Sequence, residues 1–104
     1  MIFREGETVQ MLEGVRRRMV SCGERSQMIR FELDEGAKLP HHSHPHEQIG
    51  YLVKGRLLLR IGEEEYELKE DEGYSVEPHV EHSVEVLEDS VAMDVFAPPR
   101  EEYR

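Results

Sequence analysis

At 104 residues the chain has room for one domain around a modest core, which excludes a second folded unit. Asp and Glu total 23 against 13 Lys and Arg, a formal net charge of −10, which argues against a nucleic-acid partner because such binders need a basic face to displace counterions. Six histidines stand beside a single cysteine, so an intramolecular disulfide is excluded and a reducing cytoplasm is the expected compartment.

No apolar run approaches the roughly 20 residues of a membrane span, so no membrane partner is expected. The opening MIFREGETVQ lacks the apolar segment of a signal peptide, and the whole chain is expected to be the mature protein. The only basic run, Arg16-Arg17-Arg18, falls in an extended segment where successive side chains alternate sides; all three are expected to be solvated. Ile29, Phe31 and Leu33 then recur at period two, the pattern of a half-buried strand. The same period returns at Ile49, Tyr51 and Val53, at Leu57, Leu59 and Ile61, and at Tyr66 and Leu68. Between these runs lie short turn signals, DEGAKLP, KG, GEE, EDEG, EPHVEH and LEDS, and no segment carries a sustained helical stripe. An all-β sandwich or barrel is expected, with hairpin turns at Lys54-Gly55 and Gly62-Glu63, where glycine supplies the positive φ of a tight connection. The last strand sets Val91, Met93 and Val95 on one face and Ala92, Asp94 and Phe96 on the other, before Pro98 and Pro99 stop it. A strand apolar on both faces is central to a sandwich or covered by a second subunit, and a homodimer is expected.

The densest chemistry lies in GAKLPHHSHPHEQIGYLVKG, which holds His41, His42, His44 and His46 on entry to a strand. In an uninterrupted strand His42, His44, His46 and Gln48 would share a face, but Pro45 removes a ladder donor and bends the chain, so spacing alone leaves the ligand set open. His79 and His82 follow much later, with Pro78 shaping the turn. Adjacent histidines plus a distant one can hold an ion inside a barrel. His41, His46 and His79 are expected to be exposed loop residues, whereas His42, His44 and His82 are expected to act together.

Gly36, five residues, His42-Ser43-His44, three residues, Gln48, six residues and Gly55 resemble the first motif of the cupins, with glutamine where glutamate is usual. Asp71–His82 resembles their second motif: Pro78 and His82 match, while Asp71, Glu77 and Glu81 depart. This resemblance implies a single-domain cupin jelly-roll β-barrel spanning residues 1–104, with a metal in its mouth. It also implies His42, His44, Gln48 and His82 as ligands of one divalent ion, whether zinc, nickel, manganese, iron or copper. Four neutral ligands would leave the ion its full charge inside an acidic protein, suited to attract a small anion and to act as a Lewis acid.

HSHPHEQIGYLVKG and the closing AMDVFAPPREEY resemble, more narrowly, the small cupins of pectin and alginate breakdown that convert unsaturated uronates to their linear keto form. That resemblance implies a 4,5-unsaturated uronate as the anionic substrate, with Asp94, Phe96 and Arg100 lining the pocket and Asp94 as the acid/base group. The residues agree in part. Asp94 is a carboxylate on an otherwise apolar strand, an expensive place for a charge unless it is paired or used. Arg100 follows closely enough to hold either Asp94 or a substrate carboxylate. The competing readings are another metal-dependent reaction, such as an oxygen-dependent cleavage, and a module that binds a small anion or sugar without turnover, because the fold alone does not choose among them.

Overall fold

The computed structural model describes all 104 residues, and nearly all regular structure is β. Eight strands run in chain order: β1 Thr8–Leu12, β2 Val15–Cys22, β3 Gln27–Leu33, β4 Lys38–His42, β5 Glu47–Ile61, β6 Glu64–Lys69, β7 Gly73–Val76 and β8 His82–Ala97; one 3-10 turn, Glu101–Tyr103, follows. No helix is long and apolar enough to cross a membrane. The hydrogen-bonded order is β1-β2-β3-β8-β5-β6, with β4 also on β8 and β7 also on β5, and every pairing is antiparallel. The ladder does not close on itself, but the all-β architecture is that of a jelly roll.

The long strands β5 and β8 organise everything else. They pair from Glu47↔Ala97 to Ile61↔His82, and each changes its outer neighbour along the way. β5 is flanked by β7 at Gln48–Tyr51 and by β6 at Arg56–Ile61, while β8 is flanked by β4 near His82 and by β3 from Ser90 to Phe96. The ribbon bends where its register slips, around Lys54–Leu57. Gly55 sits there at φ 101°, and a Cβ on it would lie 2.0 Å from Ser90 Oγ, which itself accepts from the Arg56 N–H. The hairpin expected at Lys54-Gly55 and the turn expected in LEDS are therefore two sides of one bulged kink. A positive-φ glycine serves a bulge as well as a hairpin, and the chain continues as strand on both sides. At Gly62-Glu63 the expected two-residue hairpin does join β5 to β6, with Gly62 at φ 62°.

Ten buried residues form the core, among them Ile29, Phe31 and Leu33 from β3, Leu52 and Leu57 from β5, and Phe96 from β8. The first half of β5 reverses the expected phase. Ile49, Tyr51 and Val53 point outward at 49%, 43% and 37% exposure, while Gln48 and Leu52 are buried. Period two marks a strand but leaves its inner face undetermined. Arg16 is half-buried and bonds Asp34 through two nitrogens at 2.8 and 3.1 Å. Arg17 departs from the solvated expectation: its guanidinium stands 4.7 Å from the Tyr103 ring centre and donates to the Glu102 carbonyl, and its Nε is buried without a partner.

Candidate metal centre

β4 ends and β8 begins on one cross-strand pair, His42 opposite His82, so backbone register alone sets two imidazoles side by side with centroids 4.2 Å apart. His44 follows in the turn toward β5, buried, its ring 5.0 Å from that of His82. The His79 N–H donates to the His44 carbonyl at 2.7 Å and ties the two histidine-bearing loops together. One ligand nitrogen from each of His42, His44 and His82 lies within 4.8 Å of the others. His41 and His79 are exposed, and His41 pairs with Glu81 at 3.2 Å. His46 differs from expectation: it is half-buried, 5.5 Å ring to ring from His44, with an unpartnered Nδ1. The chain bends at Pro45 so that His46 packs beside the cluster instead of standing in solvent.

The neighbours decide which ring nitrogens carry protons. Nδ1 of His42, His44 and His82 meets the carbonyl oxygens of Pro40, His46 and Val80 at 2.9, 3.0 and 2.9 Å. A carbonyl only accepts, so in each neutral ring Nδ1 holds the proton and Nε2 keeps a lone pair. His82 Nε2 is buried with no hydrogen-bond partner. Gln48 completes the group: its Nε2 donates to Asp94 Oδ2 at 2.5 Å, which turns Oε1 toward His44 Nε2 at 3.0 Å. Two acceptors then face each other in a buried site. An orphaned imidazole nitrogen and an acceptor opposed to an acceptor are what a cation shared by neutral N and O donors would satisfy. The donor set thus fits a divalent metal.

Burial keeps the imidazoles neutral. It pushes His82 down to about 4, with the neighbouring rings and Arg100 adding to the effect, and it lowers His44 below its ordinary value, again with help from Arg100. Burial acts on Asp94 in the opposite sense and raises it to about 6, although hydrogen bonds from Tyr74 and Gln48 hold it back.

Asp94 is 2% exposed on the inner face of β8 and lines the same pocket as His42, Gln48 and His82. Tyr74 Oη donates to it, 2.6 Å from each carboxylate oxygen. Phe96 lines that pocket too, while belonging to the core, and its ring meets those of His44 and Tyr103 edge-on at 5.7 and 5.6 Å. Arg100 does not pair with Asp94. Its Nε lies 2.6 Å from Glu102, and its guanidinium stands over the rings of Tyr103 and Phe96 at 4.4 and 5.3 Å. The Gln27 side chain clamps its backbone, accepting from the Arg100 N–H at 3.1 Å and donating to its carbonyl at 3.3 Å.

Three residues of the site carry no role in the sequence reading, although Tyr74 and Tyr103 fall inside the strings that carry the resemblance. Tyr74 was signalled only by Gly50, a glycine inside a strand, since a Cβ there would lie 2.1 Å from the Tyr74 ring. Gln27 was signalled by an amide at the head of an apolar strand. Tyr103 lies in a tail that carries no periodicity.

Among curated proteins none matches the sequence significantly. Solved structures do match. An RmlC-like cupin from Shewanella frigidimarina NCIMB 400 superposes with a TM-score of 0.91 at 25% identity, covering 96% of this chain and 90% of that one. KdgF from a Halomonas species superposes with a TM-score of 0.90 at 27% identity, covering 94% of this chain and 91% of that one. Residues 29–97, which carry both histidine motifs and the β5–β8 ribbon, match the Cupin domain family, and the chain belongs to the cupins.

Proposed function

We propose that this cupin converts 4,5-unsaturated uronates to the linear keto form, with a divalent ion held by His42, His44, Gln48 and His82, Asp94 moving the proton and Arg100 holding the substrate carboxylate. The observation that carries the reading is Asp94: a buried carboxylate, raised to about 6, in the pocket lined by His42, Gln48 and His82. The likeness to KdgF and the string HSHPHEQIGYLVKG support the substrate class.

The substrate is a cyclic hemiacetal whose ring oxygen sits on a carbon–carbon double bond. Opening it takes the proton from the anomeric hydroxyl, breaks the bond between the anomeric carbon and the ring oxygen, and returns a proton to carbon four of the resulting enolate. No electrons are gained or lost overall. One carboxylate whose affinity for protons lies near neutrality can do both transfers, accepting at Oδ and then delivering. Tyr74 and Gln48 fix the plane of that carboxylate through three hydrogen bonds. Arg100 offers a planar fork for the uronate carboxylate, and Gln27, Phe96 and Tyr103 hold it in place. Bound by neutral donors, a divalent ion supplies Lewis acidity toward sugar oxygens.

The test is the loss of ultraviolet absorbance from a freshly prepared unsaturated galacturonate. Wild type should accelerate it, chelation should abolish the acceleration, and Asp94→Asn should lower kcat by about two orders of magnitude or more, the scale of general acid/base catalysis. An Asp94→Asn protein as fast as wild type would remove Asp94 from the mechanism.

A further inference from the structure

Arg17 is the residue that the metal centre leaves unexplained. It pairs across the β2–β3 ladder with Phe31 and so shares the inward face of that core residue, an unusual place for a guanidinium. Its side chain reaches the C-terminal turn: it donates to the Glu102 carbonyl and stands 4.7 Å from the Tyr103 ring centre, which also carries the Arg100 guanidinium at 4.4 Å. Little else holds the turn. The backbone N–H groups of Tyr103 and Arg104 donate within the tail, to the carbonyls of Arg100 and Glu101, and no strand pairs with it. Gln27 fixes the peptide groups of Arg100, so residues 101–104 can swing beyond that clamp while the guanidinium stays over Phe96.

In its observed position the turn shuts the site twice. Tyr103 lines the metal pocket, a cavity of about 50 Å³, which is space for a few waters and far below the roughly 300 Å³ at which ligand pockets begin. Glu102 occupies Arg100 Nε at 2.6 Å. A sugar acid needs both the volume and the arginine, and one movement of the turn supplies both. We propose that Glu101–Arg104 is a gate on the metal pocket, latched by Arg17, and that the carboxylate of an anionic sugar opens it by taking Arg100 from Glu102, an inference that rests on the assignment of Arg100 to the substrate carboxylate. The latch is releasable because the closed position leaves Arg17 Nε buried with no acceptor, and lifting the ring beside it would let water in. A neutral sugar of the same shape lacks the group that competes with Glu102 and leaves the gate shut, so the turn makes admission itself selective for anions.

Fluorine NMR of the full chain labelled with fluorotyrosine tests this. Of the four tyrosine lines, that of Tyr103 is the one missing from Tyr103→Phe. D-Galacturonate, a saturated uronate that cannot ketonise, should move the Tyr103 line saturably toward its position in the unfolded chain, and D-galactose should not. Arg17→Gln, with an unchanged circular dichroism spectrum, should move the line the same way with no sugar present. It should also tighten galacturonate binding about two- to fivefold, because less of the binding free energy goes into opening, whereas mere structural damage would weaken binding. Should Arg17→Gln misfold, Glu102→Gln, at an exposed residue, carries the same two expectations. The gate is refuted by a Tyr103 line that galacturonate leaves in place, that galactose moves equally, or that stays put in a folded Arg17→Gln protein. Turnover of the unsaturated uronate with an immobile line would keep the reaction and refute the gate; a line that galacturonate moves in a protein without turnover would keep the gate and refute the reaction.

Discussion

Tyr74 reaches Asp94 by crossing over Gly50. The three residues form one row over β7, β5 and β8, with Gly50 paired to Tyr74 on one side and to Asp94 on the other. The Tyr74 ring lies where a Gly50 side chain would be, and its hydroxyl ends 2.6 Å from both oxygens of the carboxylate. The glycine is thus a spacing device: a strand residue with no side chain lets a neighbour one strand away hold a group two strands away.

Gly50→Ala should therefore cost more than its size suggests. The new Cβ would stand 2.1 Å from Tyr74 Cζ, so the ring must leave and the buried carboxylate loses its hydroxyl donor. We expect a loss of about 1–3 kcal/mol from overpacking and the broken hydrogen bond, read by chemical denaturation. A variant as stable as wild type would mean that the ring has another resting place.

The residues that read most directly from the sequence are those whose chemistry admits few substitutes. The imidazoles at 42, 44 and 82 stand out because nothing else explains such density, and the structure brings them together. The jelly roll is legible because half-buried strands repeat the same alternation between turn signals. What escapes is set by relations between strands. Ile49, Tyr51 and Val53 carry a perfect alternation, yet they face outward because the inner positions Gln48 and Gly50 belong to the site. Gly55 carries a turn signal that only the facing Ser90 converts into a bulge. Glu102, which takes Arg100 for itself, is an ordinary surface carboxylate until the tail folds back.

Metal binding should depend on His82 and not on the neighbouring His41. His82→Ala removes a buried nitrogen with no other partner, and loss of one ligand should weaken affinity by at least tenfold, seen by calorimetry with added zinc or manganese. His41→Ala touches only an exposed contact with Glu81 and should bind as wild type does. At a free metal concentration a hundredfold above Kd, binding should add about 2.7 kcal/mol to wild-type stability. A chelated protein that melts with its metal-loaded form would deny a metal any structural role.

The metal-free protein should show two opposed pH effects in one window. Burial takes His82 from 6.5 to about 4, so the folded chain binds fewer protons than the unfolded one, and stability falls as pH drops below about 6.5. Burial takes Asp94 from 3.8 to about 6, so there the folded chain binds more protons, and acidification through this range restores stability. Asp94→Asn deletes only the second effect. Melting metal-free proteins at about pH 7 and about pH 5 should show the larger drop for Asp94→Asn, and equal drops would mean that Asp94 titrates near its ordinary value.

Glu102 should compete with substrate. Its carboxylate lies 2.6 Å from Arg100 Nε, the partner that a uronate carboxylate would require, while Phe96 and Tyr103 fix the guanidinium so that it cannot serve both by swinging away. Binding then exchanges one carboxylate for another at the same fork. The pair is partly exposed through Glu102, so releasing it is worth about 0.5–1 kcal/mol. Glu102→Gln should accordingly lower KM by about two- to fivefold at unchanged kcat, whereas Arg100→Lys, which keeps the charge and loses the planar fork, should raise KM. Steady-state kinetics on the unsaturated uronate separates the two cases, and a Glu102→Gln enzyme with unaltered KM would place the substrate carboxylate away from Arg100.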